Sequence, residues 1–392
     1  MPAAPGLAQR APAVAPGKTG VFAQLTHGVK VRTSKRRRPK SRLWEFILLM
    51  AVKDQLKRFI ARNPPLEKAM YHFYRARNGR FVQAEIERRR HLSLFDYQQL
   101  AEELPYGPDE RVIDNNMYGY AQALKNYAGI GGDLRAYMEH GLFLGGIVHP
   151  DQYHWHFSRI ITMSAQRKQI LARALPEKEA LAVGPYIHYA QGLLTEKKKK
   201  KLKTALGRTL LVFPFHSMKN VRADFAESDF LTEIKRVARD FDSVLISMYY
   251  LDARAKARCQ AYEAEGFKIV TAGHRFDRAF VNRQRSHLEL ADFTMSNGVG
   301  THTGYCIYLK KPHYIFHQEY RQQASSKIEA QRLARSTGHS GREKSRAERN
   351  YFSLLFGELR SDIRTDQYEA VADFWGFEDI KSPAELLNWW QT

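Results

Sequence analysis

Between positions 209 and 316 the chain alternates short, unbroken apolar runs with amphipathic stretches, and few folds accept that pattern. Residues 209–215, 243–250, 268–272, 292–295 and 313–316 read as strands. Residues 227–240, 252–265, 280–290 and 301–310 read as helices, the second closed by Gly266. Strands that are apolar at nearly every position are buried on both faces, and strand–helix alternation makes their sheet parallel. Right-handed crossovers then give a doubly wound domain, with ligands at the carboxyl ends of its strands.

The rest of the chain is less regular. With 392 residues the length favours two domains. Residues 66–190 read as mixed α/β, with strands at 111–113, 159–162 and 185–190 between helical stretches and glycine turns. Residues 1–30 are rich in Ala, Pro and Gly without periodicity, and together with the basic run that follows they read as a disordered basic tail over 1–42. An amphipathic helix is expected over 43–65, stopped by Asn63-Pro64-Pro65. A polybasic run beside an aromatic–apolar helix fits an anchor lying on a membrane surface, and equally a helix docked on its own domain. Lys197 to Lys201 mark a basic linker over 196–207, and residues 321–350 read as a basic exposed segment. Helices are expected over 351–392, the last opening at Ser382-Pro383-Ala384-Glu385 with serine as cap and glutamate at the capping-box position.

Charge narrows the function. The net charge is +21, of which residues 1–43 carry +10, Lys197 to Lys201 +5 and residues 321–350 another +5. The folded body is therefore close to neutral. A nucleic-acid-binding domain should instead display its charge on a folded face among aromatics, and no such module is visible. Nucleic acid is not an expected partner, although a basic nucleic-acid-binding protein without enzymatic activity remains an alternative. Two cysteines, Cys259 and Cys306, leave no room for a disulfide framework or a multi-cysteine zinc site. No apolar run approaches the roughly 20 residues that a membrane span needs.

The stretch with most chemical content runs from Ala291 to Phe316. A strand ends at Ser296-Asn297, Gly298 and Gly300 let backbone approach a ligand closely, and a helix opens with Thr301, His302 and Thr303. Unpaired amides and the helix dipole make such a turn a phosphate site. Its Gly-x-Gly-x-x-x-Gly spacing is neither the dinucleotide fingerprint nor a Walker loop. Two other expected strand ends lie at the same edge: one carries Phe215-His216-Ser217, the other Gly273-His274-Arg275. His274 and Arg275 are placed to meet phosphate, Arg275 alternatively pairing with Asp277.

These residues resemble a family. The strand, serine, glycine-rich turn and helix leading to Lys311-Pro312 and a further strand resemble the second half of GT-B glycosyltransferases. The run Asn297 to Pro312 is similar to sugar transferases of bacterial capsule and lipopolysaccharide loci. The resemblance covers 209–316 well and the first half loosely. It departs in one place: Thr301 to Tyr305 offer no glutamate for a donor ribose. The resemblance implies two Rossmann-like domains facing across a cleft: an acceptor-side α/β domain over 66–195 and a nucleotide-sugar domain over 208–320. It implies transfer of a sugar from a nucleotide-activated donor, a co-substrate, to a cell-surface polysaccharide or lipid-linked acceptor. No metal and no resident cofactor are expected, and the setting implied is cytoplasmic, peripheral on the inner face of the bacterial inner membrane. A CDP-linked glycerol-phosphate transfer on the same fold is the alternative.

On this reading the donor contacts are Ser217, His274, Arg275, Ser296, Asn297, Gly298, Gly300, Thr301 and His302. An inverting transfer needs a base for the acceptor hydroxyl. Glu139 and His140, just before Gly141, are candidates, and Asp114 is the third. Tyr186, His188 and Tyr189 are expected to line the acceptor side. Weaker motifs are set aside. Asp240-Phe241-Asp242 sits at the amino end of a strand, the wrong end for a ligand. His149, His154 and His156 have no second ligand cluster at metal-binding spacing.

Overall fold

The computed structural model describes residues 56, 59–148, 155–218, 220–319, 321–324, 326 and 339–391. The tail expected over 1–42, and most of the helix expected over 43–65, lie outside them.

The first long element is helix α1, Pro64–Arg90. The Asn63 side chain caps it by accepting from the Leu66 amide at 3.3 Å. Prolines in a first turn cost no helical hydrogen bond, so Asn63-Pro64-Pro65 starts this helix as well as ending the helical residues 59–62 before it. Helix α2 (Tyr120–Ala128) precedes strands β1 (Tyr137–Met138) and β2 (Arg159–Thr162), helix α3 (Ala165–Ala174) and strand β3 (Glu179–Ala182). The strands form a three-stranded parallel sheet in the order β1-β2-β3.

Only β2 stands where the sequence places a strand. Residues 111–113 are bends leading into the 3-10 turn Asp114–Asn116. Residues 185–190 hold another 3-10 turn, Tyr186–His188. Tyr186, Ile187 and Tyr189 are buried there, and burial without alternation is what made the segment look like a strand.

Helix α4 (Glu196–Leu206) contains the lysine run expected as a linker. Thr195 caps it, Lys203 reaches Asp292 at 2.7 Å, and Gly207, with φ of +64°, ends it. Then come β4 (Thr209–Phe213), β5 (Val221–Asp224), α5 (Glu227–Ala238), β6 (Ser243–Ser247), α6 (Lys256–Glu263), β7 (Lys268–Val270) and α7 (Phe280–Leu290). They are followed by β8 (Phe293–Ser296), α8 (Thr301–Tyr308), β9 (His313–Ile315), β10 (Arg321–Ala324), α9 (His339–Leu355), α10 (Thr365–Trp375) and α11 (Pro383–Gln391). The helix expected over 252–265 is split. A separate turn, Tyr250–Ala253, holds Asp252 where it accepts from the Ser217 amide at 2.8 Å.

The second sheet is parallel throughout, in the order β7-β6-β4-β8-β9. Its order reverses between β4 and β8, and this switch point leaves a crevice at the carboxyl ends of the two strands. The chain is therefore α/β, built on two parallel sheets that fall within one compact unit. A shared core joins them: Leu211, Leu245 and Val270 belong to it, as do Met138, Ile161 and Val183. The other face of the five-stranded sheet is covered by α5, which buries Phe230, Ile234 and Val237 at helical spacing.

The antiparallel pair β5–β10 is an addition that the sequence reading lacks. Strand β10 and the first part of α9 lie in the segment expected to be exposed. In α11 Ser382 and Glu385 form the capping box. The tryptophans of this helix find partners: Trp389 donates to Glu179 Oε1 at 2.7 Å, and its carbonyl accepts from Arg159.

Candidate functional site

The site is built at the switch point. Strand β4 runs out into Phe213-Pro214-Phe215-His216, and β8 into Asn297-Gly298. The buried Asn297 clips the two exits together: its Oδ1 accepts from the Phe215 amide at 2.7 Å, and its Nδ2 donates to Gln318. Gly298 is required by contact, since a Cβ there would stand 2.3 Å from Phe215 Cζ. Gly300 precedes α8, and its amide donates to Thr303 Oγ1 at 3.3 Å. The first amides of α8, on Thr301 and His302, have no carbonyl one turn earlier to bond. Behind the helix, Trp375 Nε1 donates to the Thr301 carbonyl at 3.0 Å, and its indole lies so close to Gly304 that a Cβ would approach to 2.2 Å.

The first half of the chain forms the facing wall. The Leu142 amide donates to Thr301 Oγ1 at 3.0 Å, tying the segment after β1 to the start of α8. Between the walls is a cavity of about 460 Å³, lined on one side by Tyr118, Tyr120 and His140 to Leu144. Helix α9 supplies a third side: Arg349 lines the cavity and donates to the Val299 carbonyl at 3.2 Å, and the adjacent Glu348 accepts from the Gly145 amide at 2.6 Å.

Charge in this cavity is one-sided. Among the described residues that line it there is no aspartate or glutamate, whereas Arg349, His140, His216 and His302 are present. The His302 ring stacks on Phe213 with centroids 4.6 Å apart and planes 16° from parallel. Burial, and then the proximity of His216, push its pKa down to about 3, so it is neutral at physiological pH. Its Nε2 is shielded from solvent and has no hydrogen-bond partner. An arginine, unpaired amides and neutral polar rings with no competing carboxylate make a site for an anion.

The candidate residues of the sequence divide accordingly. Gly298, Gly300, Thr301, His302, Asn297 and His140 line the cavity. Ser296 lies beneath it, donating to the Gly298 carbonyl at 2.9 Å, with His313 Nε2 3.0 Å away. Ser217 is engaged by Asp252, to which its hydroxyl donates at 2.7 Å. His274 accepts from the Phe276 amide on Nδ1, leaving the Nε2 proton for Glu103 at 3.1 Å. Burial outweighs that carboxylate and lowers the His274 pKa to about 4. Arg275 lines a neighbouring pocket, and Asp277 pairs with Arg283 instead of with it.

Glu139 is buried against Arg167, which grips it at 2.7 Å, and it accepts from Thr162 Oγ1 at 2.6 Å. It does not line the cavity, and neither does Asp114. His188 and Tyr189 lie elsewhere. His188 Nδ1 is 2.5 Å from Tyr308 Oη, at the far end of α8, roughly 10 Å along the axis from Thr301. The Tyr189 hydroxyl donates to the Val183 carbonyl and accepts from the Lys381 amide, and Tyr186 packs on Tyr120. Tyr186 and Tyr189 are core residues behind the site, and His188 is half-buried beside them.

No metal-binding group of three or more His, Cys, Asp or Glu occurs among the described residues. His149 and His154 lie outside those residues, and His156 Nδ1 is 3.3 Å from the Ala61 carbonyl. The Asp240-Phe241-Asp242 turn faces away from ligands: Asp242 accepts from the Arg208 amide at 2.7 Å. Arg349 is a cavity-lining residue that sequence reasoning missed. Its signal was the helical spacing to Phe352, Ser353 and Phe356, all buried.

No family model and no curated protein sequence matches the chain. Solved structures do. The wall teichoic acid polymerase TagF is 12% identical, with a TM-score of 0.35, over 65% of this chain and 66% of that one. A UDP-GlcNAc 2-epimerase from Neisseria meningitidis, solved with UDP-GlcNAc bound, is 13% identical, with a TM-score of 0.33, over 77% of this chain and 88% of that one. At these scores the fold description rests on the strand order itself.

Proposed function

We propose that the protein is a glycosyltransferase of GT-B type, moving a sugar from a nucleotide-activated donor to a hydroxyl of a polysaccharide or lipid-linked acceptor. The observation that carries this reading is the carboxylate-free cavity at the switch point, closed by the amino end of α8, Arg349 and the first half of the chain. The donor phosphates lie against the Thr301 and His302 amides, with Arg349 beside them. His140, the one imidazole that the first half contributes to the cavity, takes the proton of the acceptor hydroxyl. The hydroxyl oxygen bonds to the anomeric carbon as the bond from that carbon to the phosphate oxygen breaks. The added negative charge on the leaving phosphate is met by amides already in place, and no metal is required.

The test is a thermal-shift panel of CMP, CDP, UMP, UDP and GDP on the full chain with EDTA present. A ligand at a hundred times its dissociation constant adds about 2.7 kcal/mol of stability. One clear responder is expected. Arg349→Ala should weaken it about tenfold or more, because a hydrogen bond to a charged group contributes about 1.5–3 kcal/mol. Silence across the panel would overturn the reading.

The surface of α1 supports a location for this activity. No helix among the described residues is long and apolar enough to cross a membrane. Between Arg62 and Ala84, however, Phe73 and Phe81 are 52% and 57% exposed, among exposed Arg75, Arg77 and Arg80. The one acidic residue there, Glu67, is buried against Arg111. Two phenylalanines eight residues apart project from one helix face about 12 Å from each other, a geometry for lying on an anionic lipid surface. Co-sedimentation with vesicles of phosphatidylcholine and phosphatidylglycerol is expected, weaker by tenfold or more in Phe73→Ser/Phe81→Ser. Equal binding by that variant would remove the lipid-facing role.

A further inference from the structure

A second pocket, of about 550 Å³, adjoins the cavity and shares Met218 with it. It lies beyond the carboxyl end of β7, where Arg275 and Tyr250 meet β5 and β10. We propose that this pocket is a separate phosphate-binding subsite, with Arg275 as its principal ligand, and that it holds a phosphate carried by the acceptor.

Half-buried Arg275 differs from the fully buried arginines in its charge partner. Arg89 pairs with Glu85, Arg167 with Glu139, Arg258 with Asp252 and Arg283 with Asp277. Arg275 has no carboxylate partner among the described residues. Its Nε is shielded from solvent and meets no acceptor, while the guanidinium lies 4.9 Å above the Phe276 ring. The carboxylate nearest in sequence, Asp277, is fully buried and committed to Arg283. A shielded donor without an acceptor is uncommon enough to require a reason, and a guanidinium over an aromatic ring can still offer its other N–H groups to a phosphate.

The surroundings agree. Arg222, exposed on β5, faces the same pocket and also lacks a carboxylate partner. The one acid on the lining, Glu103, is already bound by His274 and Arg254. Two uncommitted guanidiniums therefore face one neutralised carboxylate. The volume exceeds that of a phosphate alone and leaves room for the sugar or polyol that carries it.

The word acceptor rests on the proposed transfer, but the subsite does not. A phosphate here would come either from the acceptor or from the donor, and calorimetric titration of the full chain separates the two sources. Inorganic phosphate is titrated alone, and again with the responding nucleotide saturating. Phosphate binding is expected to persist under saturating nucleotide. Arg275→Ala should weaken it at least tenfold and leave nucleotide affinity unchanged, with Arg349→Ala doing the reverse. Arg275→Gln, which keeps the stem on Phe276, guards against a folding defect and should behave as Arg275→Ala does. Loss of phosphate binding under nucleotide would mean that the pocket serves the donor, and undiminished binding in both Arg275 variants would remove the subsite. Phosphate binding that depends on Arg275 in a protein no nucleotide stabilises would uphold the subsite and sink the transferase reading alone.

Discussion

Glu139→Ala is expected to lose about 3–5 kcal/mol of stability, seen as a lower urea midpoint at unchanged slope. The loss follows from what is left behind. Glu139 and Arg167 are both inaccessible to solvent, with side chains 1% and 6% exposed. Arg167 donates to Glu139 through both Nε and Nη2, and through Nη1 to the Ile147 carbonyl. Without the carboxylate a full positive charge stays buried and loses its ion pair. The control is the pair: Glu139→Leu with Arg167→Met removes both charges and should recover most of the loss, since a buried ion pair often does no better than apolar groups of similar volume. A single variant as stable as the parent would contradict the packing of this carboxylate. Arg167 also lies 4.6 Å over the Phe143 ring, a cavity-lining residue, so the single variant should disturb the site as well.

One residue further on, the opposite outcome is expected. His140→Ala should leave the melt nearly unchanged and reduce turnover by about 10²–10⁴, the usual contribution of a positioned base. His140 Nδ1 has no hydrogen-bond partner, and the ring makes only loose contacts, with centroids 6.3 Å from Tyr118 and 6.0 Å from Phe143. Little structure depends on it. Its backbone is fixed by its neighbours, as Leu142 is bonded to Thr301 and Glu139 to Arg167. The measurement is turnover with the nucleotide sugar that the panel identifies, alongside nucleotide affinity. Retained affinity with lost turnover is the expected result, and undiminished turnover would take the base role from His140.

This contrast also shows what the sequence made legible. The two residues are adjacent and equally polar, and both precede a glycine. Only the position of Arg167, 28 residues away, decides that Glu139 is structural. The five-stranded sheet was readable because its strands are continuous apolar runs and α7 keeps its face from Phe280 to Leu290. The first sheet was not, because strands of two to four residues are shorter than the window over which alternation can be counted. Strands β5 and β10 escaped for a different reason. Val221-Arg-Ala-Asp and Arg321-Gln-Gln-Ala carry little apolar pattern, and they are paired by backbone hydrogen bonds across a long stretch of chain. The glycine turn was legible as a strand-to-helix junction at the sheet edge, but the cation that faces it was not, because α9 brings Arg349 back from what reads as exposed sequence.

The contact between Trp375 and the start of α8 has a consequence for synthesis. Thr301 and Trp375 are 74 residues apart. At about 5–20 residues per second, the ribosome delivers the tryptophan roughly 4–15 seconds after the helix it supports. Until then Gly304 faces no indole, and the amino end of α8 has nothing behind it. The nascent chain therefore completes its glycine turn late, after both sheets have been translated.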